Sequence, residues 1–172
     1  MNLYDQSIAT YRSRLDTMRG LLNKAAAHPK GDRLLTARLA DDMHPLSTQV
    51  RFVGNLPGEA LPRLTQRSFT SLEAEDEPAT IAGAAAHIER TADLLDGVKA
   101  GELKAADDEV VLALPNNMEF TMTAAQYVRE WSLPNFYFHL VTAYAILRSE
   151  GLDIGKVDFM GHMMRYMTKG PA

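Results

Sequence analysis

Residues 132–146 read SLPNFYFHLVTAYAI, and this stretch decides the architecture. Apart from Ser132, Asn135, His139 and Thr142, every side chain in it is apolar, aromatic or proline. A helix of that composition has no polar face to give to water, so it belongs at the centre of a bundle with other elements around it. It carries one imidazole into that interior. It is too short to be a membrane span, which needs ~20 apolar residues, and no other window of the chain comes near that length.

Working outward, Thr123-Ala124-Ala125-Gln126 has the spacing of a capping box and starts this helix, Pro134 kinks it and Gly151 ends it. Just upstream the period changes to two. Val110, Leu112 and Leu114 alternate with Val111 and Ala113, Pro115-Asn116-Asn117 supplies turn residues, and Phe120 and Met122 alternate with Glu119 and Thr121. This predicts a hairpin over 108–122, packed on the bundle as a flap because two strands alone are marginal.

Three further stripes have helical period. Tyr4, Ile8, Tyr11, Leu15, Met18, Leu22 and Ala25 predict a helix of about six turns, ended by His28-Pro29. Leu35, Leu39, Met43, Leu46, Val50 and Val53 predict a second, interrupted at Pro45. Proline lacks the amide donor and disfavours helical geometry at His44, so Asp41 to Pro45 holds a kink or a restart. Pro57, Gly58 and Pro62 punctuate the next segment, up to the acidic run Glu73 to Glu77, read as a solvated loop feeding a helix N-terminus. From Pro78 a third helix carries Ile81, Ala85, Ile88, Ala92 and Leu95 and stops near Gly97. The fold class is therefore all-α: a four-helix bundle with a short β-hairpin before the last long helix, one domain over 1–172, and a C-terminal tail over 152–172.

Composition narrows the chemistry. The chain has 172 residues and no cysteine, which excludes disulfides, thiolate nucleophiles and Cys-ligated metals and leaves His, Asp and Glu as metal donors. A formal net charge of −4, with Arg and Lys scattered among the acids, argues against nucleic acid as partner. The opening MNLYDQSIATYRSRLD places charges where a signal peptide needs an apolar core, so a cytoplasmic protein with no membrane partner is expected. No G-x-S-x-G elbow, glycine-rich phosphate loop, H-E-x-x-H or dinucleotide fingerprint occurs.

Two phrases, ARLADDMHPLSTQV at 37–50 and WSLPNFYFHLVTAYAILRSEGLDIGKVDFMG at 131–161, resemble a bacterial and fungal family of unknown function that is similar to the DinB/YfiT-like helical bundles. The resemblance covers nearly the whole length. It implies a four-helix bundle, frequent homodimers and, in many members, a divalent transition metal held by three histidines, two of them four residues apart on the last helix. Metal-dependent thiol transfer and isomerisation are the activities it implies. Carried over residue by residue, His44 stands where the ligand of the second helix is expected and His139 matches the first of the pair. The position four residues on is Ala143, which cannot coordinate, so the triad is incomplete. Asp42 and Gln49 flank the stripe of the second helix, and His139, His44 and Asp42 together have ligand types suited to zinc, nickel or iron.

The candidate catalytic residues are thus His139, His44 and Asp42, with His139 and His44 as metal ligands if a divalent transition metal is bound at all. Tyr11, Gln49, Trp131, Asn135, Phe136 and Tyr144 are the candidate lining of a pocket for a small molecule. His87 is expected at the surface or its boundary. Met160, Met163, Met164 and Met167 fall on one stripe of the tail, and such a surface suits docking on the bundle or on a second subunit, hence an expected homodimer. Two functions stand open at this point. One is an enzyme acting on a small organic substrate between the second and fourth helices, with His139 as base or metal ligand; the other is a ligand-binding or interaction bundle without catalysis.

Overall fold

A computed structural model describes residues 2–114 and 117–170. Its long elements are the helices the stripes predict, with several boundaries moved for identifiable reasons. The first helix is in two pieces. Asn2 caps α1 (Leu3–Gln6) by accepting the Asp5 amide, and α2 (Ile8–Ala26) follows after a break at Ser7, whose φ of −108° and ψ of −82° leave the helical region. The Ser7 hydroxyl donates to the Leu3 carbonyl at 2.7 Å and so covers the break.

The second helix departs most from expectation. Gly31–Thr36 form a 3₁₀ turn, the chain then runs non-helically, and α3 (Leu46–Leu64) starts only after Pro45. Proline with φ near −69° and extended ψ of 169° sets the start, so the interruption is a restart and Leu39 is left 45% exposed. Pro57 and Pro62 do not end this helix, contrary to the expected punctuation; both lie inside it. Each costs an amide donor, but Val53, Ala60, Leu61 and Leu64 are fully buried around them, and that burial carries the helix through. Next, Thr80 caps α4 (Ile81–Asp96) by accepting the Gly83 amide.

Strands β1 (Glu109–Ala113) and β2 (Glu119–Thr123) pair antiparallel in the register Val110↔Met122 and Leu112↔Phe120. Val110 and Leu112 point inward at 2% exposure each, so the hairpin is docked as a flap. Asn117 adopts φ of 62° at its turn, while Pro115 and Asn116, also expected there, lie outside the described residues. The capping box is present: Thr123 accepts the Gln126 amide while its own amide donates to the Gln126 side chain. It opens α5 (Ala124–Gln126), which continues through a π-helical turn, Tyr127–Ser132, into α6 (Leu133–Ser149). In that turn the Leu133 amide donates to Val128, five residues back. The widened turn stands directly before Pro134, where the α-helical donor is missing. Gly151, at φ of 91°, ends the helix with the Leu152 amide donating to Leu147 and that of Gly151 to Arg148, a Schellman closure.

Around the bundle α2 packs on α4, α4 on α3 and α3 on α6. The tail fills the gap between α2 and α6: α7 (Lys156–Phe159) sets the Phe159 ring 5.7 Å from Tyr144 and the Asp158 carboxylate 2.7 Å from Lys24. The buried apolar side chains form one continuous cluster. Two expectations about its limits need correction. Helix α6 is not surrounded on all sides, since Phe138 is 59% and Val141 49% exposed. His87 is not at the surface; it is 3% exposed because Gly54 leaves room for its ring against α3. The methionine stripe divides: Met160 is half-buried, while the other three do not dock on their own bundle. In the 3₁₀ turn Gly161–Tyr166, His162 faces Arg14 while Met163 and Met164, with Met167 just beyond, turn outward.

Candidate functional site

Helices α3 and α6 lie side by side and run in opposite directions, so Gln49 meets His139 at one end of their seam and Arg63 meets Tyr127 at the other. The His139 end is a relay of hydrogen bonds. Its Nδ1 lies 2.8 Å from Oε1 of Gln49, an oxygen that can only accept, so Nδ1 carries the proton and Nε2 the lone pair. Gln49 is itself 2% exposed and is fixed by donating its amide to the His44 carbonyl at 3.2 Å. The ring of Phe52 stacks obliquely on His139 at 4.5 Å, with the Arg51 guanidinium 4.6 Å above Phe52 on its way to an ion pair with Glu77. Burial, then the electrostatic influence of His44 and Arg51, hold the His139 pKa down at about 4, so the imidazole is neutral at physiological pH.

One helical turn towards the N-terminus of α6, on the same face as His139, Asn135 and Trp131 line a cavity of 290 Å³ under the hairpin. Its α3 wall is Leu56, Glu59 and Arg63, and Leu112 of β1 contributes to the roof. Trp131 is partly covered by the ring of Phe120, 6.3 Å away and nearly parallel. The floor is polar: Ser132 also reaches Tyr11, whose hydroxyl lies 2.5 Å from the serine oxygen deep in the core. Burial raises the phenol pKa of Tyr11 and, less strongly, of Tyr127, so both act as neutral hydrogen-bonding groups.

The structure thus sorts the predicted residues into groups. Gln49 and His139 are together. Trp131 and Asn135 line the neighbouring cavity. Tyr11 and Phe136, both fully buried with rings 5.2 Å apart, belong to the core below it. Tyr144 faces the other way, onto the tail. His44 is exposed; its ring touches Phe52 at 5.9 Å and its carbonyl, not its imidazole, joins the relay. Asp42 is exposed in the segment before α3.

That arrangement does not fit a three-histidine metal centre. Ala143 is fully buried and offers no donor, and among the described residues no three His, Cys, Asp or Glu side chains gather closely enough to hold an ion. Sequence reasoning missed Phe52, Glu59 and Arg63, which recur with Leu56 at spacings of four and three along α3. The signal was there, but only for a helix read through Pro57. Two wider grooves, of 560 and 660 Å³, run beside α2 and the tail, and in the first of them the acids are held in ion pairs. Arg12 lies 2.7 Å from Asp16 and 2.8 Å from Asp96.

Four long helices, a docked hairpin and a polar seam between the second and fourth define a DinB-like helical bundle. A crystal structure described as a DinB family member protein from Shewanella denitrificans superposes with a TM-score of 0.83 at 29% identity, over 98% of this chain and 96% of that one. Residues 3–160 match the model of a family described as a domain of unknown function, DUF1993, and the chain belongs to that family. No curated protein matches it. Among the described residues no helix is long and apolar enough to cross a membrane.

Proposed function

We propose that this bundle binds a small organic molecule in the cleft between α3 and α6, and that His139 Nε2 takes a proton or a hydrogen bond from it. The observation that carries this reading is the position of the 290 Å³ cavity, one turn along α6 from an imidazole whose tautomer Gln49 fixes. The cavity mixes Leu56, Leu112 and Trp131 with the amide of Asn135 and the guanidinium of Arg63, the combination of apolar walls and few polar groups that small-molecule sites show. In the enzymatic form of the proposal, an anionic substrate beside His139 raises its low pKa and makes it a general base. In the non-catalytic form the neutral Nε2 only accepts a hydrogen bond.

The resemblance to DinB-like bundles adds metal-dependent thiol transfer or isomerisation as an alternative. The missing donor at Ala143 weighs against it, and the proposed chemistry routes no step through a metal. The test is a thermal-shift screen of small carboxylates, thiols and cyclic polar compounds, with crystallography of any hit. A ligand seated between Asn135 and His139, whose stabilisation is lost in Asn135→Leu, supports the cleft; hits that bind elsewhere, or that Asn135→Leu leaves unchanged, sink it. Turnover of the hit by wild type and not by His139→Gln selects the enzymatic form.

A further inference from the structure

Two charged side chains of α3 line the cleft cavity without neutralising each other. Glu59 and Arg63 stand one helical turn apart, acid before base, the order and spacing at which such residues ordinarily pair along a helix. Here each is held by something else. The Arg63 guanidinium donates to the backbone carbonyl of Glu59 at 2.5 Å and lies 5.9 Å from the centre of the Tyr127 ring. The Glu59 carboxylate accepts the Ser71 hydroxyl on Oε1 at 2.8 Å. Ser71 is fixed in turn, because the amide and the carbonyl of Leu72 are both clamped by the buried carboxamide of Asn55, at 3.1 and 2.9 Å. Among the described residues neither charge has an opposite charge as partner. The same cavity also holds the Trp131 indole N–H and the Asn135 carboxamide, and neither of these has a hydrogen-bond partner among the described residues.

We infer, on the reading that α3 and α6 hold a small organic molecule between them, that this molecule is a zwitterion of the α-amino acid class. Its carboxylate lies on Arg63, its ammonium on Glu59 and an apolar side chain against Leu56 and Leu112. Both charges belong in one molecule. A simple carboxylate would satisfy Arg63 but sit within about one turn, ~5.4 Å, of the Glu59 charge, and a simple amine would meet Arg63 in the same way. A zwitterion whose charges are a few ångströms apart matches the pair, and the Asn135 carboxamide can donate to the one end or accept from the other. The volume of 290 Å³ stands at the lower edge of the range that small-molecule pockets span, which suits a molecule of amino-acid size. Because α3 and α6 run in opposite directions, Glu59 is nearer than Arg63 to the His139 end of the seam. The ammonium end is then directed towards the neutral Nε2 of His139, which suits the form of the proposal in which that nitrogen accepts a hydrogen bond.

Titration of the full chain with the common α-amino acids, followed by the fluorescence of the single tryptophan, Trp131, and by thermal shift, tests this. Leucine, isocaproate, which lacks the ammonium, and isoamylamine, which lacks the carboxylate, form a matched set, and the comparison is repeated for whichever amino acid binds best. The expected result is an amino acid bound about tenfold or more tighter than either of its truncated analogues. Glu59→Gln should remove the advantage over the carboxylate and Arg63→Gln the advantage over the amine, with helical circular dichroism retained. The analogue comparison needs only the wild-type chain, so it decides the matter even if a variant folds poorly. A carboxylate bound as tightly as the amino acid, amino-acid binding that Glu59→Gln leaves unchanged, or no amino acid bound at all would overturn the inference. If a different compound is then seen between Asn135 and His139 in a crystal, the cleft itself stands and only its occupant was misread; ligands found only elsewhere on the molecule remove both.

Discussion

Replacing Gly54 by alanine should destabilise this protein, although the same change in an open helix stabilises. Inside a helix glycine costs about 1 kcal/mol relative to alanine, so propensity alone favours the substitution. The structure opposes it. A Cβ at Gly54 would overlap three ring atoms of His87, the farthest of them at 2.9 Å. His87 has nowhere to go: it is 3% exposed, its Nε2–H donates to the Arg51 carbonyl at 3.2 Å, and Thr91 on the same helix donates to the Gly54 carbonyl at 2.9 Å. Overpacking at such a contact costs about 1–3 kcal/mol, and displacing the imidazole strands a buried polar group at a similar cost. The net expectation is a loss of about 1–3 kcal/mol, which for a chain of this size lowers the melting temperature by several degrees.

Urea denaturation monitored by the fluorescence of the single tryptophan, Trp131, and by circular dichroism measures the change. In a His87→Ala background the obstacle is gone, and Gly54→Ala should become neutral or stabilising by about 0.5–1 kcal/mol. The two substitutions are therefore coupled by roughly 2 kcal/mol or more, where independent sites would add. A Gly54→Ala protein more stable than wild type, or a coupling near zero, would refute the close approach of α3 and α4 at this point.

His87 and His139 both have pKa values lowered by burial, that of His139 to about 4, so the unfolded chain takes up their protons first as pH falls. Stability is expected in full above about pH 6.5 and to decline from there towards pH 4, less steeply in His139→Asn; an NMR titration of His139 near the ordinary histidine value would contradict this. Protein purified without added metal should carry well under one equivalent of any transition ion, and elemental analysis showing stoichiometric zinc, nickel or iron, lost in His139→Ala, would reverse that expectation. Gly151→Ala should cost about 1 kcal/mol in urea melts because φ of 91° strains any side chain, while Gly155→Ala, in extended backbone with open space around it, should be silent.

The helices and the hairpin were legible because each rests on a periodicity that tertiary contacts reinforce, as Val110 and Leu112 illustrate. What periodicity cannot show is how a local breaker is resolved by its surroundings. Pro45 and Pro57 look alike in the sequence, yet one starts α3 and the other is absorbed into it, because Pro57 is itself buried beside the fully buried Val53, Ala60 and Leu61. The same reading made α6 a fully surrounded helix, since composition shows that a face is apolar and not whether anything covers it. His139 and Gln49 were both candidates, but their contact spans 90 positions of sequence and no pattern announces it. His87 was misplaced because the wheel of α4 cannot know that the facing residue on α3 is a glycine.

Apart from the break at Ser7, the irregular backbone within the long helices is concentrated on two of them. Helices α2 and α4 pack closely on each other and contain no proline, whereas α3 carries Pro57 and Pro62, and the segment leading into α6 carries the π-helical turn and Pro134. Those are the two walls of the cleft. A regular antiparallel helix pair with apolar faces closes to packing density and leaves no space for a ligand. A π turn inserts an extra residue and shifts the register of everything before it, which places Tyr127, Trp131 and Ser132 around the cavity. Since such turns and interior prolines each cost stability, their concentration on the two cleft helices fits the general expectation that local rules are broken where a site needs room. The cavity one turn along α6 from His139 is then a product of the backbone as well as of its side chains.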